Sequence, residues 1–117
     1  MVVADDEPDV LFLLRLQLRM VPGIEVVGTA TNGSEAIDKC KQLAPDAVVM
    51  DLLMPVTSGF QAIERLRSEL PGVRVVAYTA MAGEYVRQET SRMGIDLVLK
   101  TGSIQRLASV LLEGPAA

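Results

Sequence analysis

Short hydrophobic runs alternate five times along the chain with segments whose hydrophobic residues recur at the spacing of a helix face. Each run has a length typical of a strand, and the runs fall at residues 2–4, 24–28, 47–50, 73–78 and 97–99. Strands that alternate with helices in this way are typical of α/β proteins with a parallel sheet. The pattern therefore predicts a (βα)5 fold with one open sheet and right-handed crossovers.

The first predicted helix begins near Asp9, because Pro8 and the acidic residues around it favour a helix N-terminus. The Pro22-Gly23 pair stops this helix. Its hydrophobic face is predicted to comprise Val10, Leu13, Leu14 and Leu18. The next strand carries Glu25 in its interior, which predicts that the strand lies at an edge of the sheet.

The later helices have recognisable ends. Asn32 with Glu35, and Ser58 with Gln61, have the spacing of a capping box. A weakly patterned helix at 84–92 ends near Gly94. The predicted hydrophobic faces are Ala36, Ile37, Cys40 and Ala44 in the second helix, Phe60, Ile63, Leu66 and Leu70 in the third, and Ile104, Leu107, Ala108 and Leu111 in the last. We expect residues 1–113 to form one domain and residues 114–117 to be a linker stub or an artificial chain end.

Composition and charge narrow the class of protein. With 117 residues, half of them hydrophobic, the chain has the size and composition of one globular domain. Its 15 acidic and 11 basic residues give a net charge of -4, which offers no general attraction to nucleic acid or anionic lipid. No hydrophobic run approaches the roughly 20 residues of a membrane span, and acidic residues stand where a signal peptide has its apolar segment. We therefore expect a soluble cytoplasmic domain that contacts neither nucleic acid nor membrane directly.

The low cysteine count and the absence of histidine exclude several kinds of site. Cys40 is the only cysteine, so the chain cannot form an internal disulfide, which fits a reducing compartment. The chain has no histidine, which excludes Ser-His-Asp and Cys-His catalysis and His-ligated zinc. Any chemistry must therefore use carboxylates, hydroxyls, lysine or arginine.

Polar residues stand at the carboxyl ends of four predicted strands. They are Asp5 and Asp6 after the first, Asp51 after the third, Thr79 after the fourth and Lys100 after the fifth. In the strand order 2-1-3-4-5 of a flavodoxin-like three-layer sandwich, the first and third strands are neighbours, so the three aspartates meet at the switch point. Adjacent carboxylates repel one another unless a cation lies among them, and an all-oxygen set suits Mg²⁺ or Mn²⁺. The sequence therefore predicts a divalent metal site.

Each of these residues has a simpler explanation when it is considered alone. Asp5 and Asp6 favour the N-terminus of the following helix, and Asp51 suits a turn. Thr79 suits a strand, and Lys100 suits an exposed surface. Their placement at one edge of one sheet favours a shared site over five separate structural roles.

Four motifs, taken in order, carry a resemblance to a known family. They are Ala4-Asp5-Asp6-Glu7-Pro8, Met50-Asp51-Leu52-Leu53-Met54-Pro55 with Gly59 four residues on, Thr79-Ala80, and Lys100. At these spacings the chain resembles, over nearly its whole length, the receiver domain of bacterial two-component response regulators. The resemblance implies a signalling switch that takes a phosphoryl group from a histidine kinase or phosphotransfer protein onto Asp51.

The resemblance also implies roles for the individual residues. Asp51 would be the phosphoacceptor, and the domain would catalyse its own phosphorylation. Asp6, Asp51 and the main-chain carbonyl of Leu53 would hold the metal ion, while Asp5 would act through water. Lys100 would pair with a carboxylate before transfer and with the phosphoryl oxygens afterwards.

The output implied by the resemblance depends on movement near Thr79. Its hydroxyl would donate to the phosphoryl group and so draw the following loop inward. That movement would change the surface of the fourth helix, fifth strand and fifth helix. Ala80 is small enough to leave the site accessible, and Leu97 stands where many receivers have an aromatic residue that moves with the threonine. Thr101 follows Lys100 where many receivers have proline, which resembles the subfamily with a C-terminal helix-turn-helix domain. We therefore expect a transcription regulator that forms a homodimer on phosphorylation and reaches DNA only through a further domain.

Two other classes of protein stay open at this point. A magnesium-dependent phosphohydrolase also uses a nucleophilic aspartate on an α/β sheet, but usually has a second acid two residues later, where this chain has Leu53. A phosphorylation-independent interaction domain would not need the complete acidic set. Labelling by a small phosphodonor distinguishes the three classes.

Overall fold

The computed structural model describes residues 1–54, 58–80, 82–100 and 104–113. Its strands are β1 (Val2–Ala4), β2 (Gly28–Ala30), β3 (Ala47–Met50), β4 (Arg74–Thr79) and β5 (Asp96–Leu99). Its helices are α1 (Pro8–Arg19), α2 (Gly33–Leu43), α3 (Gly59–Glu69), α4 (Glu84–Met93) and α5 (Ile104–Glu113). Within the described residues, the strands form one parallel sheet in the order β2-β1-β3-β4-β5. This order confirms the predicted flavodoxin-like fold.

Successive strand residues point to opposite faces of the sheet, and hydrophobic side chains lie on both faces. The helices therefore cover the sheet in two layers, one on each face. One face packs against α1 and α5, and its buried residues include Val3, Val49, Val76 and Leu107. The other face packs against α2, α3 and α4, and its buried residues include Val2, Val48, Ile63 and Met93. The central strands β1 and β3 are therefore buried on both faces, as expected for an α/β sandwich.

The second strand is an edge strand, as predicted, but its residues are not the predicted ones. It spans Gly28–Ala30 rather than 24–28, because its partner β1 offers three residues, and Val2 lies opposite Gly28. Ile24 is buried in the core, and the Val27 amide donates to the Met1 carbonyl 2.8 Å away. Residues 24–27 thus lead into the strand rather than belong to it.

The buried face of α1 lies at a different position around the helix from the predicted face. Leu11, Leu14 and Leu18 are buried, whereas Leu13 is 55% exposed. The buried residues have the i, i+3, i+7 spacing of one face, and the packing of α1 on both β1 and α5 decides which face this is. Because several leucines lie on both sides of α1, the sequence pattern alone could not choose between them.

Local capping sets the ends of several helices as expected. The Ser58 and Gln61 pair forms a complete capping box at α3. Asn32 accepts a 2.8 Å hydrogen bond from the Glu35 amide, but the Glu35 carboxylate accepts from the Thr31 hydroxyl, so only the Asn32 half of that box is made. Ala44, predicted on the buried face of α2, is instead its exposed C-cap.

Three predictions concern residues outside the described part of the chain: the terminal segment 114–117, Thr101 after the lysine, and Pro55 after β3. None of the described helices has the length and hydrophobicity needed to cross a membrane.

Candidate functional site

The predicted acidic residues meet at the carboxyl edge of the sheet. Asp5 follows β1 and Asp51 follows β3, and the adjacent residues Ala4 and Met50 lie opposite each other in the pairing of these strands. One carboxylate oxygen from each of Asp5, Asp6 and Asp51 lies within 4.8 Å of the others. Asp5 is 1% exposed and Asp51 is 5% exposed. Asp6 is the most accessible of the three.

Lys100 brings a positive charge into this cluster from the end of β5. Its Nζ lies 2.5 Å from Oδ2 of Asp5 and 3.1 Å from Oδ2 of Asp51. Its backbone amide donates to the Thr79 carbonyl at 2.8 Å, which aligns the ends of β4 and β5. The two buried carboxylates are therefore bridged by one ammonium group.

The charges within the cluster do not balance. Burial raises the pKa of Asp51, and the Asp5 charge adds to this, although the Leu53 amide and Lys100 act in the opposite direction. Burial alone would lower the pKa of Lys100, but its hydrogen bonds to Asp5 and Asp51 outweigh that effect and raise it. With three carboxylates against one ammonium, the pocket attracts a further cation.

Backbone groups hold the acidic side chains in place. Oδ1 of Asp51 accepts a 3.2 Å hydrogen bond from the Leu53 amide, and Oδ1 of Asp5 accepts one of 3.0 Å from the Glu7 amide. At Gly59, a Cβ would lie 2.3 Å from the Asp51 carbonyl oxygen, which is closer than any stable contact. Glycine at this position allows the start of α3 to approach the loop that carries Asp51.

The remaining predicted site residues lie around this cluster with different degrees of burial. Thr79 is fully buried at the end of β4, and Ala80 is the exposed residue that follows it. The side chain of Leu53 is 62% exposed beside Asp51. Leu97 lies opposite Ala77 in β4 and packs, half-buried, against the core on the α3 and α4 side. Leu97 is thus in the sheet below the site rather than among the carboxylates.

Tyr78 is a neighbour of the site that the sequence analysis did not identify. Its ring centroid lies 5.9 Å from the Lys100 Nζ, and the residue is 8% exposed. The only sequence feature that could have indicated it is its place next to Thr79 in β4, because neighbouring side chains in a strand point to opposite faces of the sheet. That signal becomes informative only when the register between β4 and β5 is known.

The family comparison agrees with this geometry. The family model described as the response regulator receiver domain matches residues 1–112. The chain belongs to the response regulator receiver domain family. The chain is therefore a receiver domain of the kind used in two-component signalling.

Similar proteins contain this receiver domain within longer chains. The protein-glutamate methylesterase/protein-glutamine glutaminase 1 of Pseudomonas fluorescens is 36% identical over 118 residues, covering 95% of this chain and 35% of that protein. The transcriptional regulatory protein LnrK of Bacillus subtilis is 38% identical over 78 residues, covering 67% of this chain and 36% of that protein. The chain thus spans about a third of the length of these two curated relatives.

A solved receiver structure has the same fold. The signal receiver domain of NarL from Mycobacterium tuberculosis matches with a TM-score of 0.88 and 26% sequence identity. The match covers 96% of this chain and 91% of that one. The complete five-strand receiver architecture is therefore shared.

Proposed function

We propose that this receiver domain is a phosphorylation-dependent switch with Asp51 as its phosphoacceptor. A carboxylate oxygen of Asp51 forms a bond to phosphorus while the phosphorus–nitrogen bond of a phosphohistidine on a kinase or phosphotransfer protein breaks. The imidazole nitrogen keeps the electron pair of that bond and takes up a proton. The observation that carries this proposal is the buried Asp5–Lys100–Asp51 bridge, with an oxygen of Asp6 within 4.8 Å of the other two carboxylates.

The donor set of the pocket fits a hard divalent cation such as Mg²⁺ or Mn²⁺. Its described ligand atoms are all oxygens, they lie close enough to share one ion, and their negative charge exceeds that of the single lysine. We assign Asp6, Asp51 and the main-chain carbonyl of Leu53 as direct ligands and Asp5 as a ligand through water. Such an ion, when bound, neutralises charge on the transferring phosphoryl oxygens.

The other polar residues act on the phosphoryl group itself. Lys100 faces the oxygen of Asp51 before transfer, and its ammonium stabilises the additional negative charge that arrives with the phosphoryl group. Thr79 donates its hydroxyl to a phosphoryl oxygen from the end of β4. Ala80, exposed and small, leaves the path to Asp51 open for the phosphodonor. Thus the domain catalyses its own modification without a histidine.

The switch acts on the surface formed by α4, β5 and α5. In α4 the buried residues are Thr90 and Met93, and its other hydrophobic contacts come from the partly buried Val86 and from Tyr85, whose ring meets that of Phe60, so this helix has a small buried face. When Thr79 turns toward the phosphoryl group, the segment that joins β4 to α4 follows it. We propose that the changed surface promotes a homodimer and controls transcription through a separate DNA-binding domain in the cytoplasm.

Labelling with acetyl phosphate and Mg²⁺ tests the function directly. We expect one acid-stable, base-labile phosphoryl group on the wild type and none on Asp51→Asn. The matched control is Asp38→Asn, which changes an exposed aspartate on α2 and should label like the wild type. Labelling of Asp51→Asn, or none of the wild type, would overturn the proposal.

The same assay distinguishes the other classes. Steady turnover of p-nitrophenyl phosphate would indicate a phosphohydrolase, although Leu53 occupies the position where such an enzyme carries its acid. Absence of both labelling and Mg²⁺ binding would indicate an interaction domain. If sedimentation is unchanged by phosphorylation, the homodimer is wrong while the phosphoacceptor role stands.

A further inference from the structure

Lys100 has a third partner besides the two carboxylates. Its Nζ lies over the ring of Tyr78 at 5.9 Å from the ring centroid, within the range of a cation–π interaction. Tyr78 lies opposite Val98 in the pairing of β4 and β5, and Lys100 stands two residues beyond Val98, so both side chains extend from the same face of the sheet. Tyr78 is 8% exposed and belongs to the core between the sheet and the α1 and α5 layer. Its position is therefore held by packing.

Two of the partners of Lys100, Asp51 and Tyr78, differ in what happens to them during phosphoryl transfer. Under the proposed function, on which this inference rests, Asp51 loses a free carboxylate oxygen when it becomes an acyl phosphate, so its bond to Lys100 must change. The ring of Tyr78 takes no part in that chemistry and carries no net charge. It attracts the ammonium through the electron density of its face without competing for the metal or the phosphoryl group.

We propose that Tyr78 is a positioning residue for Lys100. Its buried ring supports the ammonium beside Asp51 while the hydrogen bonds of the lysine pass from carboxylate to phosphoryl oxygens. The ring face tolerates small lateral movement of the cation better than a directional hydrogen bond does, since the attraction is spread over the whole face. This role requires the aromatic ring and does not require the tyrosine hydroxyl.

Substitutions that separate ring from hydroxyl test this role. Tyr78→Phe keeps the ring and should label with acetyl phosphate and Mg²⁺ within about twofold of the wild-type rate, whereas Tyr78→Leu should label about three- to tenfold more slowly. Circular dichroism identifies any variant that fails to fold, in which case Tyr78→Met replaces Tyr78→Leu. Equal rates for the phenylalanine and leucine variants would overturn the inference.

A double-mutant cycle shows whether Tyr78 acts through the lysine. In a Lys100→Met background, Tyr78→Leu should leave the residual labelling rate unchanged within about twofold, because the cation that the ring supports is gone. An equal slowing in both backgrounds would indicate a merely structural role and contradict the inference.

A ring-current measurement gives a readout that does not depend on phosphorylation. The ε-methylene protons of Lys100 should have upfield chemical shifts in the wild type and in Tyr78→Phe, and ordinary shifts in Tyr78→Leu. Ordinary shifts in the wild type would overturn the contact itself. If the wild type accepts no phosphoryl group, the proposed function fails together with any role of Tyr78 in transfer; if it accepts one and the variants do not differ, only the role of Tyr78 fails.

Discussion

The two ends of the β4 and β5 pair both hold charged side chains that are at least partly buried, but the charges are arranged differently. At the amino end, Arg74 donates to Asp96 at 2.7 Å and to the carbonyls of Val110 and Leu111 at 2.9 and 3.2 Å. At the carboxyl end, Lys100 is shared by two buried aspartates, and the third aspartate of the cluster lies nearby. One end thus pairs a base with one acid and two carbonyls, and the other is left with excess negative charge.

This difference separates a structural ion pair at one end of these strands from the proposed phosphorylation site at the other end. Arg74 ties the last turn of α5 to the sheet, and the carbonyls it binds are those that a helix C-terminus leaves without partners. At the carboxyl end, desolvated carboxylates repel one another, and one ammonium does not neutralise all three, so a further cation stabilises them. The balance of charge distinguishes the two ends, and the acids at the carboxyl end are also the more deeply buried.

The largest expected effect comes from Gly59, which lies against the loop carrying Asp51 at the carboxyl end. In Gly59→Ala the new methyl group would lie 2.3 Å from the Asp51 carbonyl oxygen and 2.6 Å from the Leu52 Cα, so the loop carrying Asp51 must move. We expect a loss of at least about 3 kcal/mol in the free energy of unfolding. Urea denaturation measures this loss, and acetyl phosphate labelling should slow in parallel.

The control lies at the amino end, just before β4. At Gly72 no described atom lies within 4 Å of the position that a Cβ would take, so Gly72→Ala should change the free energy of unfolding by less than about 0.5 kcal/mol. Similar losses in both variants would show that the close approach at Gly59 does not hold the carboxyl end.

The next effect separates stability from chemistry. Arg74→Met leaves Asp96 and two helix carbonyls without their donor, and we expect unfolding to become easier by about 2–4 kcal/mol. Labelling of Asp51 in the folded variant should keep the wild-type rate. Arg65→Met, which removes an exposed pair with Glu69, is the control and should leave the unfolding midpoint nearly unchanged. Slowed labelling in Arg74→Met would show that the two ends are coupled.

A third prediction applies one chemical change to both ends and expects opposite signs. Asp51→Asn removes one of the mutually repelling carboxylates and should raise the free energy of unfolding by about 1 kcal/mol in metal-free buffer at pH 7. Asp96→Asn removes the single acid opposite Arg74 and should lower it by about 1–2 kcal/mol. Chemical denaturation of both variants with a chelator present measures the two shifts. The same sign for both would refute the contrast between the ends.

The smallest expected effect is the pH dependence of that gain. Burial raises the pKa of Asp51 in the folded protein, so the stability that goes with its protonated form is present in acid and is lost as pH rises through the folded-state pKa. The advantage of Asp51→Asn over the wild type should therefore be small near pH 4, which is about the unfolded-state pKa, and grow toward pH 7. Denaturation curves at several pH values test this. An advantage that grows on acidification would show that Lys100 stabilises the ionised form more than burial disfavours it.

Much of the architecture was predictable because it depends on residues close together in the chain. Alternating hydrophobic patterns indicated five strands and five helices, and Ser58 with Gln61 marked the start of α3. Glu25 indicated an edge strand, although β2 itself begins at Gly28. The face of α1 was less predictable, since leucines on both sides of this helix offer similar hydrophobicity and only packing on β1 and α5 buries Leu11 instead of Leu13.

The sequence by itself determined which polar residues end the strands, because strand and turn preferences are local, and it thereby located the aspartates, threonine and lysine of the site. Only the tertiary structure decided how they meet. Lys100 lies 95 residues from Asp5 and 49 from Asp51 along the chain, and its contacts with them and with the ring of Tyr78 depend on strand order and register. The close approach of Gly59 to Asp51 and the hold of Arg74 on α5 likewise come from packing between separate elements. Hydrophobic periodicity carries no information about such distances, since it reports which face of an element is buried and not what lies against it.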